Sequence, residues 1–186
     1  MPPFSSGAAM LDRIRRVVTG NNEQGLSTVV LDGRPQNELQ AGEAGVVEIW
    51  RTDGGQVDST DRADLAQPPF ALLPPLGGNR ILFFKVAPEE SSLTAEQQER
   101  RAAAAFAAYM AEDARPDTRL SPWMHKTSTI DYVIVLAGEV SLKLDDGETA
   151  LKPFDVVVQR GTNHAWVNHG SEPCLMAAIL NDAKFD

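Results

Sequence analysis

The second half of the chain is built from short apolar and alternating runs separated by turn residues. A run rich in β-branched residues covers residues 132–136, and alternating runs at 139–144 and 148–151 flank the turn Asp145-Asp146-Gly147. Alternation with a period of two is the pattern of strands with one buried face, and an Asp-Gly turn between two such runs predicts a β-hairpin. Several short strands in succession favour an antiparallel barrel or jelly roll.

The first half of the chain has weaker patterns, which predict four further strands at residues 13–19, 26–31, 46–50 and 81–86. Between them, residues 53–65 and the pairs Pro68-Pro69 and Pro74-Pro75 favour extended loops. The predicted fold class is therefore all-β, with an N-terminal extension of strands.

One α-helix is predicted at about residues 94–112, as an insertion just before the strands that carry the histidines. Thr94 and Gln97 can form a capping box, and the segment is rich in alanine. The predicted buried face consists of four residues at helical spacing: Ala103, Phe106, Ala107 and Met110. We expect the helix to decorate the surface, with a position over the barrel mouth as the alternative.

Alternation also predicts which polar side chains meet. Side chains two residues apart in a strand share a face, so His125, Thr127, Thr129 and Asp131 point one way. In a neighbouring strand, His164, Trp166 and Asn168 also share a face. Two histidines and one carboxylate are thereby predicted to lie on adjacent strands inside the barrel.

The net charge and the cysteine content restrict the possible binding partners and the expected cellular compartment. The formal net charge of −9 argues against nucleic acid and anionic membranes. The single cysteine, Cys174, lies in an apolar run and is predicted to be a core residue. No secretory signal or membrane-spanning run is evident in the sequence, so we expect a cytoplasmic protein. Arg13, Arg15 and Arg16 are predicted to form a solvated edge.

The spacing of these residues resembles the two motifs of the cupin superfamily. The first motif matches from His125 to Gly138 as H-x-T-x3-D-x6-G, and the second from Gly161 to Asn168 as G-x2-H-x3-N. Threonine replaces the usual second histidine at position 127, and aspartate replaces glutamate at 131. The resemblance is to a bacterial and fungal cupin subgroup that also has threonine at the second-histidine position.

The resemblance implies a cupin jelly roll that forms one structural domain. Residues 116–186 would be the cupin core with both motifs, and residues 1–115 would complete the barrel with strands, proline-rich loops and the helix. By analogy, edge strands and an apolar sheet face predict a homodimer.

His125, Asp131 and His164 are the predicted metal ligands and the predicted catalytic residues. Two imidazoles and a carboxylate suit a divalent Fe, Zn, Mn or Ni ion. The predicted substrate pocket comprises Thr127, Thr129, Gln159, Trp166 and Asn168. An apolar wall is expected from Phe70, Leu72, Phe83 and Phe84.

The sequence leaves three functions open, each of which acts on a small organic molecule. The leading one is a metal-dependent enzyme of oxygenase, lyase or isomerase type. The second is a metal-free dehydratase or isomerase in which the histidines and Asp131 act as acid and base. The third is a cupin that binds a ligand without turnover.

Overall fold

The computed structural model describes residues 10–58, 60 and 63–184, and within them the chain forms eleven strands and one α-helix. The predicted strands are all present. The strands, in chain order, are β1 Arg16–Asn21, β2 Ser27–Gly33, β3 Glu38–Ala41, β4 Ala44–Thr52, β5 Asn79–Val86, β6 Thr129–Ala137, β7 Val140–Leu144, β8 Glu148–Leu151, β9 Val156–Arg160, β10 His164–Val167 and β11 Cys174–Asp182. The helix, α1, spans Ala95–Ala108.

Two of the three sheets carry the site. A six-stranded sheet has the order β3-β4-β5-β11-β6-β9, and a three-stranded sheet has the order β10-β7-β8. One apolar cluster contains Val133 and Met176 from the larger sheet and Val140 from the smaller, so the two sheets pack face to face. This mostly β architecture with one helix confirms the predicted fold class, and the predicted hairpin is the β7–β8 pair.

The third sheet is the β1–β2 hairpin, which contains Arg16. The prediction of a solvated arginine edge holds for Arg15 but is wrong for Arg16, whose side chain is only 4% exposed. Arg16 donates two hydrogen bonds to the carboxylate of Asp64 and one to the carbonyl oxygen of Ile49. A buried guanidinium needs such partners, and they tie the hairpin to the main body.

Helix α1 begins with the predicted capping box between Thr94 and Gln97. It ends at Ala108, before the predicted end near residue 112, and a short 3-10 turn follows at Glu112–Ala114. The buried residues are Ala102 and Phe106, whereas Ala103, Ala107 and Met110 are exposed. The predicted face was therefore one position out of register, because a run of alanines gives no contrast between the faces of a helix.

Candidate functional site

A cavity of about 140 Å³ lies between the two sheets and is closed on one side by the end of helix α1. Its wall is mostly apolar, and β6 and β10 supply Asp131, His164 and Trp166. The lining residues are Gly45, Val46, Phe70, Leu72, Leu82, Phe84, Lys85, Phe106, Tyr109, His125, Asp131, Val133, His164, Trp166, Ala178 and Leu180. Small-molecule sites have this composition, with few polar groups in an apolar wall.

His125 and His164 are held beside each other by their own backbones. The amide of His125 donates to the carbonyl of His164 over 2.8 Å, and the amide of His164 donates back over 2.9 Å. His164 begins β10 and is 2% exposed, while His125 is half-buried in a single bridge outside the named strands. The centroids of the two imidazole rings are 4.2 Å apart.

Hydrogen bonds fix which nitrogen of each ring carries the proton. Nδ1 of His125 lies 3.0 Å from the carbonyl oxygen of Trp123, and Nδ1 of His164 lies 2.9 Å from that of Thr162. A carbonyl oxygen only accepts, so each Nδ1 is the donor and each neutral ring keeps an unprotonated Nε2. Burial lowers the pKa of His125, and burial together with His125 lowers the pKa of His164 to about 3.

Asp131 lies on β6 and lines the same cavity. Asp131 is 6% exposed, and its buried Oδ1 atom has no hydrogen-bond partner. Burial raises the pKa of Asp131 to about 6, and a hydrogen bond with Thr129 opposes this only in part. The carboxyl group can therefore gain or lose a proton near neutral pH.

Aromatic rings surround the two imidazoles, and two of them, Phe106 and Tyr109, lie at the end of helix α1. The ring of Phe106 lies 5.1 Å from that of His125, and Trp166 lies 5.6 Å from His164. Tyr109 packs on Phe106 at 6.0 Å and on Phe70 at 5.8 Å. The helix therefore forms part of the cavity wall, contrary to the expected surface position.

Residues 114–180, which include both histidines and Asp131, match the family model described as Cupin domain. This chain carries a cupin domain. The match confirms the cupin domain predicted from the two motifs, and the strands β6 to β10 form most of the matched segment.

Several relatives of this chain are fungal, and each similarity covers only part of this cupin. Phomopsin biosynthesis cluster protein C' of Diaporthe leptostromiformis is 61% identical over 46 residues, which is 24% of each chain. Oryzines biosynthesis cluster protein J of Aspergillus oryzae is 50% identical over 34% of this chain and 36% of its own. The cupin-domain-containing oxidoreductase virC of Hypocrea virens is 42% identical over 35% of each chain. The matches thus span about a quarter to a third of the relatives' lengths.

A solved structure, a Cupin 2 conserved barrel domain protein from Salinispora arenicola, has 20% sequence identity and a TM-score of 0.37. The similarity covers 70% of this chain and 92% of that one. In the described part of this cupin, no helix is long and apolar enough to cross a membrane.

The donor atoms of the cupin site are of the kind that metals prefer, but a three-ligand site is not assembled. Within residues 10–58, 60 and 63–184, no three His, Cys, Asp or Glu side chains come close enough together to hold a metal ion. His125, Asp131 and His164 share the cavity but do not form such a group, so their joint role as metal ligands stays a prediction.

Trp166 lines the cavity, whereas the other four residues that were expected in the substrate pocket do not. Thr127 and Thr129 are buried and hydrogen-bond each other over 2.7 Å. Gln159 donates to the carbonyl oxygen of Thr162, and Asn168 donates to those of Val86 and Glu172. These side chains hydrogen-bond to each other or to backbone carbonyls, a demand that motif spacing does not reveal.

The expected apolar wall is present in part. Phe70, Leu72 and Phe84 line the cavity, but Phe83 packs in a second cluster on the other side of the sheet with Leu11 and Val47. Consecutive residues of β5 face opposite ways, so Phe83 and Phe84 belong to different clusters. Phe106 and Tyr109 were not predicted as lining residues, because contacts of an inserted helix are long-range and leave no local pattern.

Proposed function

We propose that this cupin is an enzyme that dehydrates or isomerises a small organic molecule by proton transfer at Asp131. The observation that carries the proposal is the buried Oδ1 of Asp131, which has no hydrogen-bond partner at a mostly apolar cavity. An unpaired buried carboxyl group costs free energy and is seldom retained for folding alone. Its pKa of about 6 suits a group that both takes and gives a proton.

The dehydration can be completed by this one carboxyl group. Asp131 as a carboxylate removes a proton from a carbon next to a carbonyl, and a carbon–carbon double bond forms as the bond to the neighbouring hydroxyl group breaks. The protonated Asp131 then returns the proton to the departing oxygen, which leaves as water. In an isomerisation, the same proton is returned to a different carbon. Neither reaction needs an oxidant or a reductant.

The two histidines would orient the substrate in this scheme. Each unprotonated Nε2 can accept a hydrogen bond from the substrate hydroxyl group, and the backbone bridge between His125 and His164 holds the rings in place. Side chains fixed in this way contribute to the rate by positioning the reacting atoms. The relatives named for phomopsin and oryzines biosynthesis clusters support a small organic substrate.

A β-hydroxycyclohexanone tests the proposed reaction, because its dehydration gives a conjugated enone that absorbs in the ultraviolet. We expect turnover by the full chain in the presence of EDTA, with a rate that rises as the pH rises through about 6. Asp131→Asn should lower the rate at least ~100-fold, since a positioned acid or base contributes roughly that much. The control is Asp146→Asn, which changes an exposed carboxylate in the β7–β8 turn.

Two results would count against the proposed dehydratase. Turnover unchanged by Asp131→Asn would remove the proposed role of the carboxylate. Specific ligand binding without turnover of any hydroxylated ring ketone would favour the non-catalytic cupin instead.

A metal-dependent oxidoreductase is the second candidate, and one observation favours it. Both imidazoles donate Nδ1–H to a backbone carbonyl and keep Nε2 free, which is how metal-binding histidines are usually oriented. Three fungal relatives are named cupin-domain-containing oxidoreductases. His125 and His164, with Asp131 as the third ligand, would hold a divalent Fe, Zn, Mn or Ni ion. Such an ion would supply activation of dioxygen or of a carbonyl group.

Metal analysis of protein purified without chelators separates the two candidates. Near-stoichiometric metal, and turnover that EDTA abolishes and one metal restores, would support the oxidoreductase and contradict the metal-free reaction. His125→Ala should then remove the metal, whereas the exposed His169→Ala should retain it.

A further inference from the structure

The hydrogen-bonding atoms that the histidines and Asp131 offer to the cavity are all acceptors. The Nδ1–H groups of His125 and His164 are used by the carbonyl oxygens of Trp123 and Thr162, so Nε2 is the atom left for a ligand. Neither ring has a carboxylate partner, and a buried imidazole without one stays neutral. The unpartnered Oδ1 of Asp131 accepts as well when the group is ionised.

The cavity offers no uncompensated positive charge to an anionic ligand. None of the lining residues is an arginine. Lys85 is the one lysine among them, and its charge is attracted by those of Asp12 and Glu43, which do not line the cavity. A ligand carboxylate would therefore face Asp131 without a counterion, and burying an unpaired anion is costly.

The size and the wall of the cavity fit one ring. The cavity measures about 140 Å³, close to the roughly 150 Å³ of an apolar cavity that binds benzene. Five aromatic side chains line it, namely Phe70, Phe84, Phe106, Tyr109 and Trp166. Offset or edge-to-face contacts with such rings favour a flat ligand.

We infer that this cavity takes a neutral molecule about the size of one ring, bearing a hydroxyl group that donates to His125, His164 or Asp131. The inference rests on the proposed function in taking this cavity as the site, and it narrows the substrate class. A hydroxyl group can donate a hydrogen bond to one of the three acceptor atoms, which are Nε2 of His125, Nε2 of His164 and Oδ1 of Asp131. An ether or a ketone of the same shape has no hydrogen to donate.

Phenol, anisole and benzoate test the inference, because they share a ring and differ in the attached group. Binding to the full chain is measured by calorimetry at pH 7.5 in EDTA. Phenol should bind at least ~10-fold more tightly than anisole, since one net hydrogen bond accounts for about that factor. Benzoate should bind more weakly than phenol by a similar factor or more. If anisole binds as tightly as phenol, the ligand does not need a hydrogen-bond donor, and the inference is wrong. If benzoate binds more tightly than phenol, the ligand does not need to be neutral, and the inference is also wrong.

Variants test whether His125 and Asp131 cause the preference for phenol over anisole and benzoate. His125→Phe should bring phenol and anisole to within about threefold of each other, whereas His169→Phe, outside the cavity, should leave the preference unchanged. Asp131→Asn should narrow the gap between phenol and benzoate. Near-ultraviolet circular dichroism checks that each variant is folded. A folded wild-type protein that binds none of the three rings would overturn the assignment of ligand size.

The binding test is independent of the proposed dehydration. A protein that prefers phenol but turns over no hydroxylated ring ketone would retain this inference and lose the proposed function. A protein that dehydrates such a ketone but binds phenol and anisole equally would retain the function and lose the inference.

Discussion

Two aspartates of this chain show how the surroundings set the pKa of one kind of side chain. Asp117 accepts hydrogen bonds from the side chain and backbone of Arg119, which lower its pKa to about 2. Asp131 is buried without a cation, and burial raises its pKa to about 6. Only the second group changes its charge in the range where most enzymes work.

The raised pKa of Asp131 predicts that its ionisation destabilises the fold. A group whose folded-state pKa exceeds its ordinary value of 3.8 contributes stability below that value, and this stability is lost as the pH rises through about 6. Between pH 4 and pH 8, the wild type should lose about 2–3 kcal/mol relative to Asp131→Asn. Urea unfolding of both proteins at the two pH values measures this difference, and a constant difference would contradict the assigned pKa.

Arg15 and Arg16 make a matched pair for testing burial. Both form salt bridges of 2.6 Å, Arg15 with Asp32 at the surface and Arg16 with Asp64 inside. Arg16→Ala should lower the free energy of unfolding by about 3–5 kcal/mol, because it leaves a largely buried carboxylate without its partner. Arg15→Ala should have little effect, since its partner stays hydrated. Equal losses in urea unfolding would refute this distinction.

At single positions, the sequence predicts well what depends on strand parity. Thr129 and Asp131, two residues apart on β6, are both buried, and Thr127 is buried although it lies outside the strand. Parity does not reveal that Thr127 and Thr129 satisfy each other, or that Arg16 finds a carboxylate forty-eight residues away. Partners so distant in the chain are decided by tertiary packing, which local patterns do not contain.

Helix α1 contributes to the site through its last turn. Its start could be predicted from Thr94 and Gln97, because a capping box is local in sequence. Its buried face could not, because the contacts of Phe106 and Tyr109 with His125 and Phe70 join distant segments. The sequence therefore predicts that the helix exists and where it begins, but not that it forms part of the cavity wall.

Substitutions at the two ends of α1 should separate helix stability from cavity structure. Phe106→Ala removes a side chain that is 4% exposed and packs against His125, so it should cost about 3–5 kcal/mol and weaken ring binding. Thr94→Ala removes only the cap and should cost about 1 kcal/mol without changing binding. Urea unfolding and phenol calorimetry measure both effects. Ring binding unaffected by Phe106→Ala would contradict a role of the helix in the cavity.

For the whole molecule, one outer surface exposes several apolar side chains. Strand β9 is an edge of the six-stranded sheet, and its Val156 and Val158 are 59% and 55% exposed. Tyr132 of β6, which is paired with Val158, is 44% exposed. Apolar residues on an open sheet edge are usually covered or blocked by charge.

The expected homodimer is a prediction that this surface makes testable. Light scattering of the full chain should give twice its mass of 20.2 kDa. Val158→Lys places a charge on the outward face and should give monomers at the same concentration, whereas Lys143→Arg on β7 should not. A wild-type mass of 20.2 kDa at micromolar concentration would refute the dimer.

The reciprocal hydrogen bonds between the backbones of His125 and His164 hold these two positions together without the help of their side chains. The main chain sets the spacing of the two positions, so either imidazole can be exchanged without displacing its neighbour. New reactivity could then arise by single replacements during divergence, with little remodelling elsewhere. Protein engineers can use these two positions in the same way, by replacing either histidine with an unnatural or nucleophilic side chain.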